Sequence, residues 1–153
     1  MANIKNLEKL MAKLERLRSE SLRPSRAVVT GYSQGYAIFV HENLEAHHEV
    51  GQAKFLEEPA RDLQRVMAQQ IKDSVKAGLP LEAAMLKAML YLQRESQQLV
   101  PVDTGALRAS AFTCFEDEVE EAAEEARSRG DARRQVVYDK QQKKRLEAQL
   151  KKV

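Results

Sequence analysis

The sequence predicts an α+β fold: a small antiparallel β-sheet packed against a long antiparallel helix pair, with an N-terminal amphipathic helix and a charged helical C-terminal tail. Three observations predict it. Apolar residues recur at spacings of three and four near the N-terminus and within 58–98, which is the period of amphipathic helices. Short runs rich in Val, Ile, Phe and Tyr favour strands. Beyond residue 116 the chain is mostly charged and polar. We therefore divide it into an N-terminal helix (1–22), a core domain (23–116) and a tail (117–153).

The first helix is predicted over residues 3–20. Its apolar residues fall on one stripe between charged faces, at Ile4, Leu7, Leu10, Met11, Leu14 and Leu17. Such a stripe needs a partner, either the body of the domain or a neighbouring subunit. Pro24 ends the helix because proline disfavours helical backbone at the residue before it. This segment has charges every few residues, which is not typical of a signal peptide. No run in the sequence approaches the roughly 20 apolar residues that span a bilayer, so we expect no membrane anchor.

Three strands are predicted, over 26–32, 35–41 and 107–115. The first two are joined by a short turn that contains glycine, as a hairpin requires. The second strand is apolar on both faces, so we expect it to be covered on both sides. Residues 42–55 lack periodicity and are predicted to form a long surface loop.

Two long helices are predicted over 58–77 and 80–98. Pro59 suits the first turn of one helix, and Gly78 followed by Pro80 suits the end of that helix and the start of the next. Because the connection is short, the two helices are expected to pack antiparallel.

A compact turn signal, Pro-Val-Asp-Thr-Gly at 101–105, separates the second long helix from the third strand. Asp and Thr side chains bond nearby backbone amides, and Gly105 tolerates a positive φ, so the segment is sufficient as a helix-to-strand hinge. The same letters occur in aspartic proteases, where two carboxylates share a proton. The alternative is therefore a protease-like dimer that uses Asp103. The preceding helix and proline, and the lack of a Gly-rich flap, favour the hinge.

A second group of candidates is a cluster of potential metal ligands at His41, Glu42, Glu45, His47, His48 and Glu49. A zinc helix of the His-Glu-x-x-His type needs histidines one turn apart, and Glu45 stands where the second would be. We expect a polar loop with His41 at a strand end, and no metal or cofactor. A metal site assembled by the fold is the alternative. The single cysteine, Cys114, excludes an internal disulfide and a multi-cysteine zinc site.

The tail separates its charges. Residues 116–125 carry seven acidic groups and no basic one, whereas 127–152 carry ten basic groups and three acidic ones. We expect a helix, interrupted at Gly130, that protrudes or docks on a partner. A nucleic-acid-binding module is the alternative, using Lys143, Lys144, Arg145, Lys151 and Lys152. No aromatic residues interleave these to stack on bases, which favours a solvated helix face.

Three separated blocks resemble one protein family. VPVDTGALRAS (100–110), YAIFVHE (36–42) and GQAKFLEEPA (51–60) are similar to the small neck, or tail-completion, proteins of tailed bacteriophages. The similarity covers about residues 26–116. In most of that family the Pro-Val-Asp-Thr-Gly block precedes the other two, whereas here it follows them. The same core with its blocks exchanged, as in a circular permutation, would accommodate this order.

The resemblance implies a structural protein of the virion, with no catalytic, cofactor-binding or metal-binding residues. Such proteins form sixfold or twelvefold rings at the head–tail junction, between the portal or connector and the tail-tube or tail-terminator proteins. DNA passes through the ring without sequence-specific binding. The expected location is the virion, and the host cytoplasm during assembly. A ring needs two different faces on each subunit. As a hypothesis, the acidic and basic halves of the tail pair between neighbours.

Overall fold

The structure, a computed structural model, describes residues 4–21 and 26–151, with side-chain environments for 8–16 and 26–151. The fold is α+β, as predicted. The predicted break at residues 23–25 lies outside the described residues. A single 3₁₀ turn at Glu116–Glu118 joins the last strand to the last helix. The elements in chain order are α1 (Ile4–Ser21), β1 (Val28–Tyr32), α2 (Ala37–Glu42), α3 (Glu57–Asp62), α4 (Gln64–Lys76), α5 (Leu81–Leu99), α6 (Ala106–Ala109), β2 (Ala111–Phe115) and α7 (Val119–Leu150).

The sheet has two antiparallel strands in the described part of the chain. β1 pairs with β2 from Val28 opposite Phe115 to Tyr32 opposite Ala111. The predicted hairpin between residues 26 and 41 is therefore wrong, since the partner of β1 comes from the far end of the core domain. Closing a sheet between distant segments makes every element between them part of one unit.

The helix pair packs as predicted. α4 and α5 are joined by the tight turn at Gly78, which has φ +100°, and they lie against each other. The predicted helix 58–77 is divided at Leu63 into α3 and α4. α5 also contacts both strands. It turns a stripe of buried residues spaced four apart inward: Ala84, Ala88, Leu92 and Ser96.

Polar contacts align the sheet on α5. The Tyr32 hydroxyl lies 2.8 Å from the Ser96 hydroxyl, and burial raises the pKa of Tyr32 to about 12, so the phenol remains protonated. The Thr113 hydroxyl donates to the Gln93 side-chain oxygen at 2.6 Å. These bonds satisfy polar groups that would otherwise be costly to bury.

Residues 37–42 form the helix α2, which contradicts the strand predicted over 35–41. Ala37 and Val40 are the residues that pack against the core, whereas Ile38 and Phe39 are exposed. A spacing of three between inward residues is helical, not extended. An apolar run this short does not distinguish a helix from a strand, because its periodicity alone is compatible with both.

The core has its centre at Phe55, Val100 and Leu107, which are at most 4% exposed. The Phe55 ring meets the rings of Tyr32 and His41 edge to face, at centroid distances of 5.1 and 4.9 Å. Residues 42–55 were predicted as a surface loop. Most of the segment is irregular, but its end carries the largest side chain that is almost wholly buried.

α7 runs without interruption through Gly130, so the predicted break there is wrong. The reason for the glycine is close packing. A Cβ at residue 130 would lie 2.5 Å from the Gln34 side-chain nitrogen and 2.7 Å from the Ala106 carbonyl oxygen. The first half of α7 therefore packs on α6 and β2, with Ala126 buried. The helix as a whole is about 48 Å long, and its second half is exposed apart from half-buried Val137 and Gln142.

Candidate functional site

The candidate site is a cleft beside the Pro-Val-Asp-Thr-Gly turn. α5 ends at Leu99, and Val100 follows in extended conformation with its side chain fully buried. Gly105 has φ +80°, in the left-handed region that favours glycine, and it precedes α6. The Thr104 hydroxyl accepts a hydrogen bond from the Ala106 amide at 3.2 Å. The turn is the predicted hinge, with one difference.

The difference is one helical turn. Residues 106–109 form α6, and β2 begins only at residue 111, so the strand predicted over 107–115 is wrong in its first four residues. Leu107 belongs to α6 and points into the core, where its side chain completes the cluster with Phe55. After Thr104 and Gly105 the chain therefore forms a short helix before it enters the strand.

The cleft has a volume of about 620 Å³. One wall is the hinge, including Val102 and the exposed Asp103. The opposite wall comes from α2 and from the irregular segment after it. Arg134 of α7 closes one end. The lining includes both apolar and polar groups: Tyr36, Val40, His47, His48, Glu49, Val50, Val102, Asp103 and Arg134.

A buried glutamine holds the α7 end of the cleft in place. Gln34 is only 6% exposed, and its side-chain nitrogen donates to Asp131 at 3.2 Å. Arg134 donates back to the Gln34 oxygen at 2.9 Å, and its guanidinium lies 5.6 Å from the centre of the Tyr36 ring. The sequence did not predict this contact, because a glutamine next to a glycine is common in turns and does not indicate a buried side chain.

The histidine cluster is divided by the fold. His47 and His48 line the cleft, whereas His41 joins Glu42 and Glu57 in a separate group whose ligand-type atoms lie within 4.8 Å of one another. The His41 Nδ1 lies 2.6 Å from the Glu42 carboxylate, and its Nε2 accepts from the Glu57 amide at 3.3 Å. Both ring nitrogens are therefore engaged, and the bond from the Glu57 amide links α2 to α3. Glu57 was not among the predicted candidates.

A lysine already forms ion pairs with the two carboxylates of this group. The Lys54 ammonium lies 2.5 Å from the Glu42 carboxylate and 2.8 Å from that of Glu57. Its hydrogen bonds hold the pKa of both carboxyl groups below their usual value, and they raise the pKa of Lys54. A divalent cation would compete with this ammonium for the same oxygens.

Two further candidates, the cysteine and the candidate nucleic-acid-binding residues of the tail, are not among the described residues that line the cleft. Cys114 lies buried in β2, and burial, followed by the nearby Glu118 and Asp117, raises the pKa of its thiol, which makes it a poor nucleophile. The basic residues of the tail are exposed on the second half of α7, at Lys143, Lys144 and Arg145, with Lys151 just beyond it. Lys152 lies outside the described residues.

The core cluster brings together the three blocks that carry the family resemblance, and two of them, 36–42 and 100–110, also line the cleft. α2 contains the block 36–42, and its Val40 packs on the core cluster formed by Phe55 of the block 51–60 and by Val100 and Leu107 of the block 100–110. Backbone bonds join the same segments. The Lys54 amide donates to the His41 carbonyl at 2.8 Å, and the Gln52 amide donates to the Leu99 carbonyl at 2.8 Å.

No family model, no curated protein and no solved structure matches this chain. Within the described part of the chain, every helix is too short or too polar to cross a membrane.

Proposed function

We propose that the protein is a structural component of a bacteriophage virion at the head–tail junction, a neck, connector or tail-completion protein. It assembles as a sixfold or twelvefold ring around the DNA channel and joins the portal or connector to the tail-tube or tail-terminator proteins. Its mechanism is assembly: weak contacts repeat around the ring and are strengthened when the portal presents a matching surface.

The observation that supports this role is the convergence of the three blocks. They are separated by up to 74 positions from the first residue of one to the last of another, yet their side chains meet in one core cluster. Segments that pack against one another can form the same core even when their order along the chain differs. The permuted order is therefore compatible with the resemblance and with the role it implies.

The surface offers parts that suit a ring. α7 extends beyond its last contact with Gln34, at Arg134, by sixteen residues, or about 24 Å. Its acidic end and its basic end hold charges that form no ion pair with any described residue: Glu120, Glu121, Glu124, Glu125, Lys140, Lys143, Lys144, Arg145 and Lys151. The two groups are about 30 Å apart along the helix, so they pair only between molecules.

Electron microscopy of the negatively stained protein with its portal tests the proposal. We expect rings, or an extra tier of density stacked on the portal. The Asp103→Asn variant separates this role from the protease alternative. It is expected to weaken ring formation only slightly, because the carboxylate is exposed and is one of several charged groups that line the cleft, whereas a protease would lose cleavage. A portal that gains no density at any protein concentration contradicts the proposal.

Salt tests the part assigned to α7. Ionic pairs between exposed groups are screened over a Debye length of about 3 Å in molar salt. Rings held by the charged ends of α7 are expected to dissociate there, and a chain that ends at residue 135 is expected to assemble less well even at low salt. Rings that persist unchanged in molar NaCl would exclude charge pairing as the assembling force.

A further inference from the structure

Two apolar faces are exposed in the part of the chain whose side chains the structure describes. The first is the stripe of α1, where Leu10, Met11 and Leu14 are 52%, 60% and 53% exposed, and every described side chain of that helix is exposed. The second is the mouth of the cleft, where Val50 and Val102 line the opening and remain exposed. A helix with one apolar face normally buries it.

The charges around the two faces are opposite. α1 contains five basic and three acidic residues. The cleft is lined by two carboxylates, Glu49 and Asp103, and one guanidinium, Arg134, so its own balance is one negative charge. Complementary potentials of this kind favour encounter and fix the orientation of two surfaces. The cleft is too small for a whole helix but suits the side chains of one helical face.

We infer that α1 of one copy docks its apolar stripe into the cleft of a second copy. The contact is heterologous: each chain uses its helix on one neighbour and its cleft on the other, so the contact repeats until a ring closes. This inference rests on the proposed function, and it assigns that function its subunit interface. The partner recognised by the cleft is an amphipathic basic helix with leucine and methionine on one face.

Charge insertion at each face provides the test. Met11→Glu with Leu14→Glu disables the helix, and Val50→Glu with Val102→Glu disables the cleft. All four side chains are exposed, so the fold is expected to be unaffected, which the far-UV circular dichroism of each variant checks. Sedimentation velocity over a concentration series is expected to show self-association weakened at least about tenfold in each variant.

The decisive experiment mixes the two variants in equal amounts. One retains a working cleft and the other a working helix, so the mixture is expected to form heterodimers that stop at two chains. The control, Val66→Glu with Leu90→Glu, alters two exposed residues on α4 and α5 and is expected to associate like the unaltered chain.

Each contrary result is specific. A cleft variant that still associates alone shows that the cleft is not needed for self-association, and an α1 variant that still associates alone shows that α1 is not needed for it. An unaltered chain that stays monomeric throughout, or a mixture that stays monomeric, also overturns the inference. If the α1 variant still adds a tier to the portal, the interface is wrong and the function stands. If the chains associate as described but ignore the portal, the function is wrong and the interface stands.

Discussion

Phe55→Ala tests the core that holds the cleft together. The side chain is 1% exposed, lies in the cluster with Val100 and Leu107, and makes edge-to-face contacts with Tyr32 and His41. Truncation of a buried phenylalanine removes its transfer free energy and leaves a cavity, which together cost about 3–5 kcal/mol. The total stability of a domain is about 5–15 kcal/mol, so this one change removes a large share of it.

Urea unfolding followed by circular dichroism measures the loss, and thermal unfolding is expected to show a midpoint lowered by roughly 6–20 °C. Phe39→Ala is the matched control, because the same side chain on α2 is 74% exposed. Its effect is expected to stay within about 0.5 kcal/mol. A loss of less than about 1 kcal/mol for Phe55→Ala, or equal losses for the two variants, would refute the packing described here.

Three further predictions concern the glycine in α7, the ion pairs of α3 and the cysteine. Gly130→Ala is expected to lower the free energy of unfolding by about 1–3 kcal/mol, despite the helix propensity of alanine, because the Cβ meets a carbonyl at 2.7 Å. Gly35→Ala has nothing within 4 Å and is expected to be neutral or stabilising; a stabilised Gly130→Ala would contradict the close packing. Lys54 depresses the pKa of two glutamates, so its stabilisation is present above their unfolded pKa and is lost as the pH falls below about 4.5. Lys54→Met is therefore expected to reduce the difference between urea midpoints at pH 7 and at acid pH, and an unchanged difference would argue against the ion pairs. Cys114 is buried, which raises the pKa of its thiol, so a thiol reagent at pH 8 is expected to label it at least about tenfold more slowly in the folded chain than in urea; equal rates would contradict its burial.

The periodic elements were predictable from sequence. α1, α4 and α5 have apolar residues at helical spacing over three turns or more, and the Gly78 turn has an unambiguous signal, so local propensity and tertiary packing agree. The hinge at 101–105 was predictable for the same reason, because each residue type there has a specific backbone use.

The errors have physical causes. The segment 36–41 contains β-branched and aromatic residues, which favour a strand. It forms the helix α2 instead, and the helical conformation lets Ala37 and Val40 both pack against the core. A glycine inside a helical sequence usually indicates a break, so a break was predicted at Gly130. The glycine is needed instead because Gln34 and Ala106, at least 24 positions away in the chain, leave no room for a Cβ. Tertiary contacts of this kind override local propensity.

The candidate site was predictable only in part. Asp103, His47 and His48 were singled out, and all three line the cleft. What sequence reasoning did not reveal is that the cleft has α2 as its opposite wall and Arg134 at its end. Those contacts join segments more than 25 positions apart, and no periodicity in either segment encodes the pairing.

Native mass spectrometry of the portal mixed with the purified protein is the sharpest test of ring assembly. The account predicts that the portal assembly gains six or twelve copies of the 17.4 kDa chain in one step, without partly filled rings at saturation. A portal whose mass does not change, or that binds a single chain, would contradict it.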